Sequence, residues 1–150
     1  MRVVVQRVSS ASVKTSDGYF QCINKGLMIL VGITHNDTVE DAEYLASKIV
    51  LLRIFDDESG VMNFSLKDVD GELLVVSQFT LHAKVKKGNR PSYMDAAKHE
   101  LAVPLYEHFI KRLEDLTGKS VARGVFGAYM DIDMVNSGPV TILIDTHDLR

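Results

Sequence analysis

An α+β fold, with a mostly antiparallel sheet curled into a barrel-like core and helices packed against it, is predicted by three observations. Short β-branched and aliphatic runs punctuated by Gly, Asn and Asp occupy the chain up to Ile33, two stretches of helical periodicity follow, and strand-like sequence returns after Gly118. The 150 residues, 46% of them hydrophobic, suffice to bury one core of ordinary size, so a single domain over 1–150 is expected.

The first strands are expected at Arg2–Val8, Ala11–Lys14, Tyr19–Ile23 and Gly26–Ile33, joined as an antiparallel meander through the turns Ser16-Asp17-Gly18 and Asn24-Lys25-Gly26. Asn36-Asp37-Thr38 offers cap residues for a helix running to about Leu52, with Leu45, Ile49 and Leu52 repeating on one face and Ala42 and Val50 beside them. A strand over Leu52–Phe55, a turn at Asp56–Gly60 and a strand from Leu73 ending in Ser77–Leu81 come next. A second helical region is predicted from about Ser92 to Leu116, interrupted near Pro104, with Leu105, Phe109, Leu113 and Leu116 facing inward and Thr117-Gly118 ending it.

The formal net charge of −3 gives no general footprint for nucleic acid and argues against wrapping a long duplex or single strand. A protein touching mainly one RNA end is compatible with it, through the basic segment Lys84–Arg90; a solvated charge run explains any one of those lysines equally. Cys22 has no second cysteine to pair with, which implies a reducing compartment, and its apolar strand predicts a buried thiol. The apolar run Gly26–Ile33 is too short to span a bilayer and the start lacks the layout of a secretion signal, so no membrane association is expected and the cytoplasm is the expected location.

Two places break the strand pattern. Asn136-Ser137-Gly138-Pro139-Val140-Thr141 sets a Gly-Pro pair inside a segment that otherwise reads as strand from Ala128 to Ile144, and proline donates nothing to a sheet ladder. On the dipeptide alone, a β-turn between two strands is the expected structure. Ser77-Gln78-Phe79-Thr80-Leu81 puts three polar side chains at the end of the run Leu73–Val76. Each would cost about 1 to 3 kcal/mol if buried without a partner, so they satisfy neighbouring backbone or meet a ligand.

Several chemistries are excluded on residue type. There is no Gly-x-Ser-x-Gly elbow, no phosphate-binding Walker loop and no dinucleotide glycine pattern. Strand alternation would place Ser77 opposite Thr80 and His82, which gives no Ser77–His82 pair, and His82 reads as a strand-end or surface histidine. His35, His99, His108 and His147 lack zinc-site spacing, and Asp131 and Asp133 share a strand face without a third ligand. No metal and no cofactor are expected.

Taken in order, Met1–Val8, Ser77–Leu81, Lys87–Pro91, Gly124–Met130 and Asn136–Thr141 resemble the D-aminoacyl-tRNA deacylases from end to end. Ser137 and Tyr129 depart from that pattern, since acidic residues are usual at both places. The resemblance implies hydrolysis of the ester of D-aminoacyl-tRNA at its 3′ end, and of glycine mischarged on tRNA-Ala, without a cofactor. It assigns the chemistry to Ser77, Gln78, Phe79 and Thr80, with the 2′-hydroxyl of the terminal adenosine assisting. Amides around Gln78–Thr80 aimed at the developing oxyanion would supply a few kcal/mol, about 2.7 to 4 for one donor in other hydrolases. Thr80 is expected to act by backbone or positioning rather than as a covalent nucleophile.

The resemblance also makes Gly138-Pro139 a cis pair whose carbonyls enter the site of the other subunit of a homodimer, meet the α-amino group and exclude an L side chain. Arg7 is the candidate for holding that segment, or else an exposed strand charge; Phe126 and Met130 are candidates for the adenosine pocket, although core packing also explains them. The rival readings are a non-catalytic tRNA-end or nucleotide-binding module, which predicts binding without hydrolysis, and a structural barrel, which predicts neither.

Overall fold

The computed structural model describes residues 1–149. In chain order it contains β1 (Arg2–Lys14), β2 (Phe20–Ile23), β3 (Gly26–Gly32), α1 (Val39–Leu51), β4 (Phe55–Asp56), β5 (Met62–Phe64), β6 (Glu72–Ser77), a one-turn 3-10 helix (Phe79–His82), α2 (His99–Thr117), β7 (Ala122–Arg123) and β8 (Asp131–Asp145). A last short turn covers Thr146–Leu149.

β1 is the spine of a nearly closed, barrel-like sheet. One of its edges carries β3 along Arg2–Val8 and β2 along Ala11–Lys14, and the other carries β8 throughout, all antiparallel. The two expected N-terminal strands are thus one, because β8 follows β1 past the Ser9-Ser10 step by shifting register between Gln6 and Val8 and again between Val8 and Ser10. β2 and β3 both lie on β1, so they do not form a simple meander. β3 pairs with β6, and β6 with β7, in parallel, which makes the sheet mixed.

The period of two along β3 and β6 explains why both read as unbroken apolar runs. Leu27, Ile29, Val31, Leu73 and Val75 face one buried cluster with the inward sides of α1 and α2, whereas Met28, Leu74 and Val76 join Val8, Val13 and Ile23 in a second on the opposite face. α1 begins where expected, with the Thr38 amide donating to the Asp41 carboxylate at 2.9 Å.

α2 starts at His99 rather than Ser92, because the intervening chain is held by tertiary bonds: Ala97 donates its amide to Ile33 O at 2.8 Å, and Thr34 donates its hydroxyl to Asp95 O at 2.6 Å. Pro104 does not interrupt the helix. It sits on the exposed side of the early turns, as does Glu100, whose carbonyl proline leaves without its helical donor. Gly118 then ends α2 at φ 69°, its amide on Glu114 O at 2.8 Å.

Cys22 is exposed rather than buried, because β2 has only Ile23 turned fully inward and its neighbour Phe20 also faces solvent. Among the described residues no helix is long and apolar enough to cross a membrane.

Candidate active site

The parallel strands β3 and β6 end side by side, Val31 opposite Ser77. There the chain leaves the sheet after Ser77, four residues before the expected end at Leu81. The Gln78 amide caps the ladder on Val31 O at 2.7 Å, and Phe79–His82 then wind into the 3-10 turn, closed by Leu81 N donating to Gln78 O at 3.2 Å. Gly32 permits that fold-over, since a Cβ on it would lie 2.9 Å from Leu81 Cβ and 3.1 Å from Gln78 O. The expected strand through Leu81 therefore stops at Ser77, and the alternation argument for Ser77 and His82 lapses with it.

His82 is not a surface histidine. It is 8% exposed, its Nε2 has no hydrogen-bond partner, and burial pushes the imidazole below its ordinary range.

Ser77, Gln78 and Phe79 line a cavity of about 510 Å³. Its other walls come from Val31 and Ile33 at the end of β3, Val76 on β6, Ala97 and His99 at the start of α2, and the segment Phe126–Met130. Thr80 lies just behind this lining, its hydroxyl accepting a hydrogen bond from the Gln78 side-chain amide. Because that amide cannot take up a proton, nothing bonded to Thr80 Oγ1 would activate it as a nucleophile. The Gln78 backbone amide is also committed, to Val31, which removes it from the expected oxyanion donors. Phe79 and Thr80 remain as the opening residues of a helical turn, whose first N–H groups have no acceptor within the turn.

Phe126 stands in an aromatic row, edge-on to His99 at 5.6 Å and to Tyr106 at 5.5 Å between centroids. Tyr106 donates its hydroxyl to Val75 O at 3.0 Å, so the row ties the cavity wall to β6; burial pushes the Tyr106 phenol far above its ordinary value. Met130 is fixed by its sulfur, which accepts the Val125 amide at 3.3 Å. His99 escapes sequence reasoning because its only distinction is its place on the first turn of α2. Both Phe126 and Met130 line the cavity.

Gly138-Pro139 lies elsewhere. β8 is one strand across this pair, not two strands and a turn, and the peptide bond is cis. Gln6 pairs with Thr141 and Val8 with Asn136, so Ser137 through Val140 bulge out opposite Arg7 alone.

Arg7, 8% exposed, holds the bulge from beneath. Its Nε donates to Ser137 O at 2.8 Å, while Nη1 donates to Ile54 O at 2.7 Å and to Asp56 Oδ1 at 3.0 Å. Asn136, which sequence reasoning did not single out, clamps the bulge from within the strand: its Oδ1 accepts the Val140 amide at 2.9 Å and its Nδ2 donates to Thr141 Oγ1 at 2.9 Å. Gly138 has φ 136°, and a Cβ there would lie 2.9 Å from Arg7 Nη2. Neither Gly138 nor Pro139 lines the cavity of its own chain.

This mixed barrel-like sheet recurs in solved structures. The c-Myc DNA unwinding element binding protein aligns at a TM-score of 0.89 and 40% identity, covering 97% of this chain and 98% of the other. A probable eukaryotic D-amino acid tRNA deacylase aligns at 0.83 with 17% identity over 95% of this chain and 97% of its own, a likeness of fold.

A model of the D-Tyr-tRNA(Tyr) deacylase family matches residues 4–145, and the chain belongs to that family. Similar relatives include the D-aminoacyl-tRNA deacylases of Bacteroides fragilis, 60% identical over 147 residues (97% of each chain), and of Porphyromonas gingivalis, 57% identical over 148 residues (99% of each).

Proposed function

We propose that the protein is a D-aminoacyl-tRNA deacylase, which hydrolyses the ester between a D-amino acid and the 3′ end of tRNA and releases both. The observation that carries this reading, beside family membership, is the cavity at the joint end of β3 and β6, where backbone and neutral polar groups face an apolar, aromatic wall. Such a site suits an ester that is already reactive and needs chiefly orientation and charge stabilisation.

The terminal adenosine enters against Phe126 and Met130. The amides of Phe79 and Thr80 receive the developing oxyanion, and the Gln78–Thr80 side-chain bond keeps the turn in shape. Water attacks, assisted by the 2′-hydroxyl of the adenosine, so that no acyl-enzyme forms.

Chiral selection is assigned to Gly138-Pro139 acting across a homodimer. A bulge outside its own cavity has a role there only by entering a partner's cavity. Among the described residues β8 pairs only with β1, and it exposes Met134, Val135 and Leu143, an unprotected edge of the kind a second subunit covers. The Gly138 and Pro139 carbonyls would bind the α-amino group and occupy the space an L side chain requires. Glycine, without a side chain, would be accepted, including from tRNA-Ala. The enzyme would work in the cytoplasm, where its RNA substrate is made and used.

Incubation of matched D-tyrosyl-tRNA and L-tyrosyl-tRNA with the wild-type protein and Gly138→Ala tests the reading. Loss of the D ester alone, weakened or made less selective in the variant, is expected. Bound tRNA with both esters intact would replace the enzyme by a binding module.

A further inference from the structure

The loop after the 3-10 turn is absorbed by neither the cavity nor the β8 bulge. It is pinned at its base by reciprocal backbone bonds between Lys84 and Ser92, at 2.8 and 2.9 Å, and Lys84 is neutralised there by Asp95 at 2.6 Å. Beyond that base Lys86, Lys87 and Arg90 are exposed and have no carboxylate within ion-pair distance among the described residues. Some surface cations elsewhere are matched, as in Lys111 with Asp115 and Lys119 with Asp70, and others such as Lys25, Lys48 and Lys67 stand singly, without a carboxylate partner among the described residues; the loop differs in gathering three unpaired cations within five residues. On a chain of net charge −3, this loop is a local reversal of sign.

Beside it stands an exposed aromatic pair. Phe79, 56% exposed, packs edge-on against Tyr93, 41% exposed, with centroids 5.0 Å apart. Phe79 also lines the cavity, so Tyr93 begins one ring beyond the cavity wall. Large aromatic rings left in water next to unpaired cations are the combination that single-stranded nucleic acid uses, bases on the rings and phosphates on the cations. The 3′ end of a tRNA is single-stranded before its terminal adenosine. Its preceding nucleotides must leave the cavity over one rim, and this rim carries matching chemistry.

We propose that Tyr93, backed by Phe79, and the cations Lys86, Lys87 and Arg90 form a platform for the unpaired nucleotides that precede the terminal adenosine. The platform rests on the deacylase reading and extends it from the terminal nucleotide to the strand behind it. Tyr93 stacks a base without selecting it, and the cations meet phosphates, so the contribution is to affinity rather than to the chemical step.

The test compares D-tyrosyl-tRNA with D-tyrosyl-adenosine, which carries the ester but no upstream nucleotide. Tyr93→Ala, and separately the combined Lys86→Ala, Lys87→Ala and Arg90→Ala variant, should each raise KM for D-tyrosyl-tRNA by about tenfold or more at unchanged kcat. Both should hydrolyse D-tyrosyl-adenosine as the wild type does, and Tyr93→Phe should restore the wild-type KM. The triple variant should also show a salt dependence of log KM shallower by about 2.

Variants that match the wild type on D-tyrosyl-tRNA would overturn the platform and leave the deacylase standing. Equal losses on both substrates would overturn it too, as damage to the cavity. A wild type inert toward both esters would overturn the deacylase reading and the platform with it.

Discussion

The end of β6 and the middle of β8 both interrupt strands with polar residues and a close backbone approach, yet the first closes inward and the second is pushed out. At the end of β6, Gly32 lets the 3-10 turn fold over β3, and the Gln78 amide caps the ladder, leaving the next residues against a cavity of the same chain. At the middle of β8, a buried guanidinium stands under a bulge whose crest, Ser137 to Pro139, is exposed. One region lines a cavity of its own chain, and the other projects away from it. Chemistry and selection are therefore separable by mutation if the proposed division of labour is right.

The largest effect is expected where the inward region is propped. Gly32→Val forces the turn away from β3, because even a Cβ meets Leu81 and Gln78 too closely. A displacement of about 1 Å at a positioning element costs on the order of 100-fold in rate. We expect kcat on D-tyrosyl-tRNA to fall by about that factor in single-turnover assays, with D over L selectivity retained in the remaining activity. Loss of selectivity instead would erase the distinction between the two regions.

Arg7→Ala attacks the outward region. It strands the Ser137 and Ile54 carbonyls and removes the Asp56 partner, so a stability loss of about 1 to 3 kcal/mol is expected by urea unfolding. The functional signature should be a D over L preference reduced about tenfold, with D-ester kcat within a few-fold of wild type. Arg7→Lys keeps the charge without the fork of donors and should fall between. An unchanged preference in a folded Arg7→Ala protein would detach the bulge from selection.

A smaller effect sharpens the inward side. Thr80→Val removes the hydroxyl that accepts the Gln78 amide and keeps the backbone amide assigned to the oxyanion. Its kcat should fall by about tenfold or less, whereas removal of a covalent nucleophile costs on the order of 10⁶ in other hydrolases.

How far these regions could be read beforehand follows from their construction. Ser77–Thr80 was legible because polar residues at the end of Leu73–Val76 contradict a buried strand. The turn they enter was not, since Phe79, Thr80 and Leu81 suit a strand as well as a 3-10 helix and the deciding atom, the missing Cβ of Gly32, lies far away in sequence. Arg7 was legible as a multidentate donor but not as buried, because only the bulged register of β8 puts Ser137 above it. His99 was invisible: helical periodicity extends back to Ser92, and tertiary bonds at Thr34 and Ala97 decide where α2 begins. Cys22 was misjudged because a four-residue run with only three apolar members says little about which face of an edge strand is covered.

The smallest predicted effect concerns His82, which closes the inward turn and is buried with Nε2 unpartnered. Burial disfavours its charged form most, and Arg2 and the N-terminal amine act the same way, outweighing the Gly32 backbone and Asp37, which favour it. Its folded pKa therefore lies below the unfolded value of about 6.5. Between those two values the unfolded chain binds more protons than the folded one, so stability must decline as pH falls through that window and level off above it. Urea unfolding at pH 7.5 and 5.5 should show a decline that is shallower in His82→Leu, while the response of Arg7→Ala should parallel the wild type. An equal slope in wild type and His82→Leu would mean that the closing histidine takes its proton without opening the turn, and that the inward region is looser than its packing indicates.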